Sequence, residues 1–131
     1  MRGVFTRLSL ILIVSLVSAN FGFAQSHQAE ITFDNQTGQP ALVKLIGPIR
    51  KSIQVPDGQQ RSVSAIGGQY FIMTRYGGDP GHYSYSRGEV FTAIQTRTTY
   101  SNITITLHKV VNGNYHDDPI NAADFDKETA E

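Results

Sequence analysis

Apolar and polar residues alternate along most of this 131-residue chain with a period of two, in runs divided by Gly, Pro, Asn and Asp. That period sends successive side chains to opposite faces of an extended backbone, so it predicts strands rather than helices. Seven strands are predicted, over residues 30–35, 41–46, 51–55, 60–66, 69–76, 89–95 and 101–110. Turn residues every eight to twelve positions point to a sandwich or barrel. The cleanest run is 101–110, where Ile103, Ile105 and Leu107 share one face and Asn102, Thr104, Thr106 and His108 the other. In 69–76, large residues occupy both faces, as in a central strand covered on each side. The polar run 60–66 reads as an edge. Pro56-Asp57-Gly58 is a turn in which proline presets φ and glycine accepts positive φ. One short helix is expected near the C-terminus, with Asn121 as cap, Asp124 at N3, and Ile120 and Phe125 as a hydrophobic staple.

The N-terminal segment departs from the alternation. Arg2 and Arg7 precede an apolar run from Leu8 to Val17, and Gly22-Phe23-Ala24 sets small residues at the −3 and −1 positions of a cleavage site. This is the pattern of a signal peptide over residues 1–24, with the mature chain expected to begin at Gln25 and to be periplasmic or secreted. Asn20 and Gly22 interrupt the run before the roughly 20 apolar residues that a membrane span needs, so no span is expected in the mature form. The remaining 107 residues suffice for one core. We expect a β-sandwich over residues 25–116 and an acidic tail with the short helix over 117–131.

Charge is unevenly spread. Residues 25–114 carry eight basic and five acidic side chains, whereas 115–131 set Lys127 against six acids. No concentrated basic face marks a nucleic-acid binder. The tail can fold back on the basic body, although a solvated tail end is the favoured reading. The chain has no cysteine, so disulfides and thiol chemistry are excluded and stability must come from packing and sheet hydrogen bonds.

Val55-Pro56-Asp57-Gly58 followed by Ile66-Gly67-Gly68-Gln69-Tyr70-Phe71 resembles a passage of prealbumin-like (carboxypeptidase regulatory-like) accessory modules. Arg75-Tyr76-Gly77, the run from Tyr83 to Gly88 and the run from Ile103 to Val111 are similar to a group of small exported bacterial domains of unknown function. Both resemblances imply an all-β, antiparallel sandwich, prealbumin-like or immunoglobulin-like, and neither brings a catalytic residue or a cofactor.

Candidate chemistry is sparse. There is no Gly-x-Ser-x-Gly elbow, zinc-binding His-Glu-x-x-His helix or phosphate loop, and Asp34, Asp57 and Asp79 fall in or beside turns, where aspartate bonds its own backbone. The expectation is a non-enzymatic binding module without cofactor, a small hydrolase assembled from loops being the less favoured reading. The residues 77–88 stand out: five of twelve are Gly or Pro, yet Tyr83 and Tyr85 lie among them, with Arg75, Tyr76 and Arg87 at the borders. Tyrosine and arginine give large contact areas with few rotamers to freeze, so these five residues are the candidate surface for a protein or glycan partner. The alternative site is a metal centre at His116, Asp117 and Asp118, where oxygen ligands lie beside an imidazole.

Overall fold

The computed structural model describes residues 9–18, 28–110 and 114–130. The expected cleavage motif, the expected start at Gln25 and His27 lie outside these residues. Among the described residues, ten strands and one helix succeed one another in chain order: β1 (Ser9–Ser18), β2 (Ala29–Asn35), β3 (Ala41–Ile46), β4 (Arg50–Val55), β5 (Gln60–Ala65), β6 (Gly68–Tyr76), β7 (Ser84–Gly88), β8 (Phe91–Ala93), β9 (Thr99–Val110), β10 (Tyr115–Ile120) and α1 (Ala122–Lys127).

Strands β4-β3-β6-β7 form one sheet of a sandwich and β1-β9-β2-β5 the other. β10 is shared: Asp117–Ile120 pairs with β7, while Tyr115 and His116 pair with the start of β1. β8 lies off this path, antiparallel to the first residues of β6. The polar strand β5 is an edge, as its composition implies. One pairing departs from the antiparallel expectation. β2 runs parallel to β9, with Ile31 opposite Ile103 and Phe33 opposite Ile105. Parallel neighbours need a long crossover, and here the whole of the opposite sheet separates them in sequence.

The apolar alternation builds the core. Ile31 and Phe33 of β2, Val43 and Leu45 of β3, Tyr70 and Ile72 of β6, and Ile103, Ile105 and Leu107 of β9 are all buried, and Tyr115 of β10 joins them. Asn35 binds this end of the sandwich together. Its side-chain amide donates to the carbonyls of Gln39 and Val55, each at 2.8 Å, and its backbone carbonyl accepts from Gly58 in the Pro56-Asp57-Gly58 turn. Gly58 adopts φ +75, the left-handed conformation that this turn demands.

Three strands exceed the expected seven. β7 is hidden in sequence because its inward residues are Ser86 and Gly88, which carry no apolar signal. Gly88 is required there, since a Cβ would meet the ring and hydroxyl of Tyr115. β10 reads as a charged tail and contains Pro119. That proline lies beyond the residues that β1 pairs, where β10 has a neighbour on one side only and a missing donor is tolerated. The expected boundary at 116/117 thus falls inside β10, and the sandwich ends only at Ile120. β1 is the apolar run assigned to the signal peptide. It lies antiparallel against β9, Ile13 opposite Thr104 and Leu16 opposite Ser101, leaving Ile13, Val14 and Leu16 half exposed.

The short helix forms as its cap signals indicate. Asn121 accepts a 2.8 Å hydrogen bond from the Asp124 amide, and Phe125 at N4 is buried. The helix does not project into solvent. Lys44 of β3 reaches it with Nζ, donating to the carbonyls of Phe125 at 2.8 Å and Glu128 at 2.9 Å, and lies 4.0 Å from the Phe125 ring centre. Arg50 adds a 2.9 Å ion pair with Glu128. Against the favoured reading of a solvated tail, the chain from Asn121 to Glu128 folds back onto the outer face of the β3-β6-β7 sheet. Positive side chains at a helix C-terminus complement its dipole and its unpaired carbonyls. Among the described residues no helix is long and apolar enough to cross a membrane.

Candidate functional site

Alternation on β6 and β7 sorts the candidate residues. Odd positions of β6 (Phe71, Met73, Arg75) face outward and even positions (Tyr70, Ile72, Thr74, Tyr76) face the core, where all four are buried. Tyr76 is therefore no part of a surface. Arg75 stands opposite Tyr85, and Met73 opposite Arg87. The segment expected to be a glycine-rich loop over 77–88 is a shorter hairpin connection, from Gly77 to Tyr83, that leads into β7.

The outward residues Arg75, Tyr83, Tyr85 and Arg87 do share one sheet face, but they belong to different contacts. The Arg75 guanidinium lies 4.2 Å from the Tyr83 ring centre. Tyr83 meets Tyr85 edge-on at 6.2 Å, and Tyr85 packs at 5.2 Å against Phe125 of the folded-back helix. Arg87 stacks separately on Phe71 at 4.2 Å. The helix thus covers the middle of the face and divides it. Tyr85 becomes a packing residue beneath it, and Arg75 and Tyr83 remain at one corner.

At that corner Arg75 and Tyr83 line a cleft of about 280 Å³, shared with Pro40 and Leu42 of the β3 region and Gln54 and Pro56 of the β4 region. Sequence reading missed these four because no periodicity links them to residues 75–83. The sheet register does, since Gln54, Leu42, Arg75 and Tyr85 stand in one row across four strands. Among the described residues the Arg75 guanidinium makes no ion pair or hydrogen bond, and its Nε is buried without a partner. Lys44, two positions along β3 from Leu42, adds positive field. Its own pKa is lowered, chiefly by burial, with Arg75 adding to the shift and Asp126 and Glu128 opposing it. The nearest turn is held by an exposed pair, His82 Nδ1 to Asp79 Oδ2 at 3.0 Å.

The alternative centre is dispersed by the same alternation. On β10, His116 and Asp118 are exposed, whereas Asp117 is buried on the opposite face. Among the described residues no group of three His, Cys, Asp or Glu side chains is placed to share a metal ion. Asp117 instead faces Ser86 and Tyr76. Neither of its carboxylate oxygens has a hydrogen-bond partner, nor does the Tyr76 hydroxyl. Burial raises the Asp117 pKa to about 6, with the Ser86 hydroxyl pulling partway back. Burial likewise raises the Tyr76 and Tyr115 phenols, and the Asp117 charge adds to both shifts. Tyr115 has a partner, donating to the Glu89 carbonyl at 2.6 Å.

Comparisons of this chain with protein-family models, with curated proteins and with solved structures find no match. The likeness to prealbumin-like modules accordingly rests on the residues that suggested it.

Proposed function

We propose that this protein is an exported, non-enzymatic binding module that holds a protein or glycan partner at the corner formed by Arg75 and Tyr83. The observation that carries this reading is the Arg75 guanidinium, stacked at 4.2 Å on Tyr83 at the rim of a cleft and paired with no carboxylate among the described residues. An arginine fixed on an aromatic ring has lost much of its side-chain freedom before any ligand arrives, so less entropy remains to be lost on binding. The cleft wall of prolines, leucine, glutamine, arginine and tyrosine contains no nucleophile beside a general base, which favours binding over turnover. Arg87 on Phe71 extends the same face beyond the helix. The apolar N-terminal run and the Gly22-Phe23-Ala24 motif support export to the periplasm or medium.

The test is capture of the partner from the exported fraction of the native cell by wild-type protein, Arg75→Ala and Tyr83→Ala. Each substitution should weaken capture at least tenfold, about the 1.4 kcal/mol that a modest hot-spot residue contributes. Full capture by both variants would contradict the reading.

A further inference from the structure

We infer that the Arg75 cleft takes one acidic sugar residue, a hexuronic acid, of a larger glycan. This inference rests on the reading of the cleft as a binding site and adds the chemistry of its ligand. The charge requirement comes from Arg75. Its guanidinium has Tyr83 on one side and makes no hydrogen bond to another described residue, while Lys44 on the same sheet face is committed to the carbonyls of Phe125 and Glu128. A carboxylate is the group whose two oxygens match the guanidinium fork.

The rest of the wall argues for a sugar over a peptide. Several main-chain groups beside the cleft are already engaged: Leu42 is paired with Gln54 and with Arg75 in the sheet, Gly77 donates to the Pro40 carbonyl at 2.9 Å, and the Val55 carbonyl accepts from Asn35. A peptide laid against these engaged groups would find no partner there for its own amides and carbonyls, and each such group that became buried would cost free energy. A pyranose ring has an apolar C–H face to set against Pro40, Leu42, Pro56 and Tyr83. Its hydroxyls can stay at the open mouth or meet the Gln54 amide. The cleft, about 280 Å³, sits just below the range of roughly 300–1,000 Å³ typical of sites that enclose drug-sized ligands. It therefore suits one ring of a chain whose neighbours remain in solvent.

The experiment titrates the full exported protein, isotopically labelled, with three probes: oligogalacturonate, its methyl ester, and a glutamate-rich peptide of similar length and charge. Heteronuclear NMR tracks the amides of Gly77 and Gly78 and the side chains of Gln54 and Arg75. The expected result is saturable shifts at the cleft with oligogalacturonate, at least tenfold weaker with the ester, and weakened at least tenfold by Arg75→Ala. Arg75→Lys serves as a second variant that keeps the charge and loses the fork, and it should recover only part of the affinity. Equal binding of acid and ester, or stronger cleft shifts with the peptide than with the sugar, would overturn the sugar assignment while leaving the cleft a binding site. Shifts at the cleft with none of the three, together with full partner capture by Arg75→Ala, would overturn the sugar assignment and the binding site together.

Discussion

Residue by residue, the candidate surface divides into contacts that hold the fold and contacts that remain for a ligand. Tyr83 touches Arg75 and the edge of Tyr85, whereas Tyr85 lies between Tyr83 and the buried Phe125. Tyr83→Ala should therefore cost under about 1 kcal/mol in denaturant melts, and Tyr85→Ala about 2–3 kcal/mol, because the latter undermines the helix docking. Equal costs would mean that the helix does not rest on Tyr85. Asp117 gives a second prediction at this scale. Its folded pKa, raised by burial from the ordinary value of 3.8 to about 6, means that the native state binds the proton more tightly than the unfolded chain. Stability from this group is full below the unfolded value and falls as pH rises through about 6. Thermal melts should show the protein more stable near pH 4.5 than near pH 7.5 by on the order of 2 kcal/mol from this source. Asp117→Asn should flatten that dependence, so that this source no longer separates the stabilities at pH 4.5 and pH 7.5. An unchanged pH profile in the variant would show that Asp117 is not desolvated.

At the scale of elements, the strands that could be read from sequence are those whose alternation is apolar. β9 is the clearest case: Ile103, Ile105 and Leu107 are buried as its pattern requires, so Ile105→Ala should cost about 2–5 kcal/mol and Thr106→Ala under about 1. β7 and β10 escape the same reading because they turn inward Ser86, Gly88 and Asp117, small or polar residues that leave room for Tyr115 and Tyr76. The helix was legible from Asn121 and Phe125, but its docking was not. Lys44 looks like a lone polar residue in an apolar strand until the helix carbonyls are brought over it by the fold. The site was legible in part. Residue types marked out Arg75, Tyr76, Tyr83, Tyr85 and Arg87, of which Tyr76 is buried in the core, while the opposite wall of the cleft comes from strands twenty and more residues away. β1 carries its own prediction. It covers β9 yet leaves Ile13, Val14 and Leu16 half exposed, so of its described side chains Leu12 is the one packed against the core. Cleavage before Gln25 should leave a domain that still melts in one cooperative transition. A broad, non-cooperative melt of the processed form would show that β1 is an integral strand.

For the molecule as a whole, the sandwich supplies a rigid frame and the C-terminal helix decides which part of one sheet face stays open. Basic body and acidic tail meet through Lys44, Arg50 and Glu128, and among the described residues of that face Arg75 over Tyr83 and Arg87 over Phe71 stay outside any ion pair. We propose that this corner, and no other face of the sandwich, receives the partner. Chemical-shift mapping of the labelled protein against the exported fraction that contains its partner addresses it directly. Perturbations should concentrate on residues 40–42, 54–56 and 75–83 and be absent from the outward side of β9, Asn102, Thr104 and Thr106. Perturbations centred on that β9 face, with residues 75–83 unmoved, would place the partner elsewhere and contradict binding at the Arg75 corner.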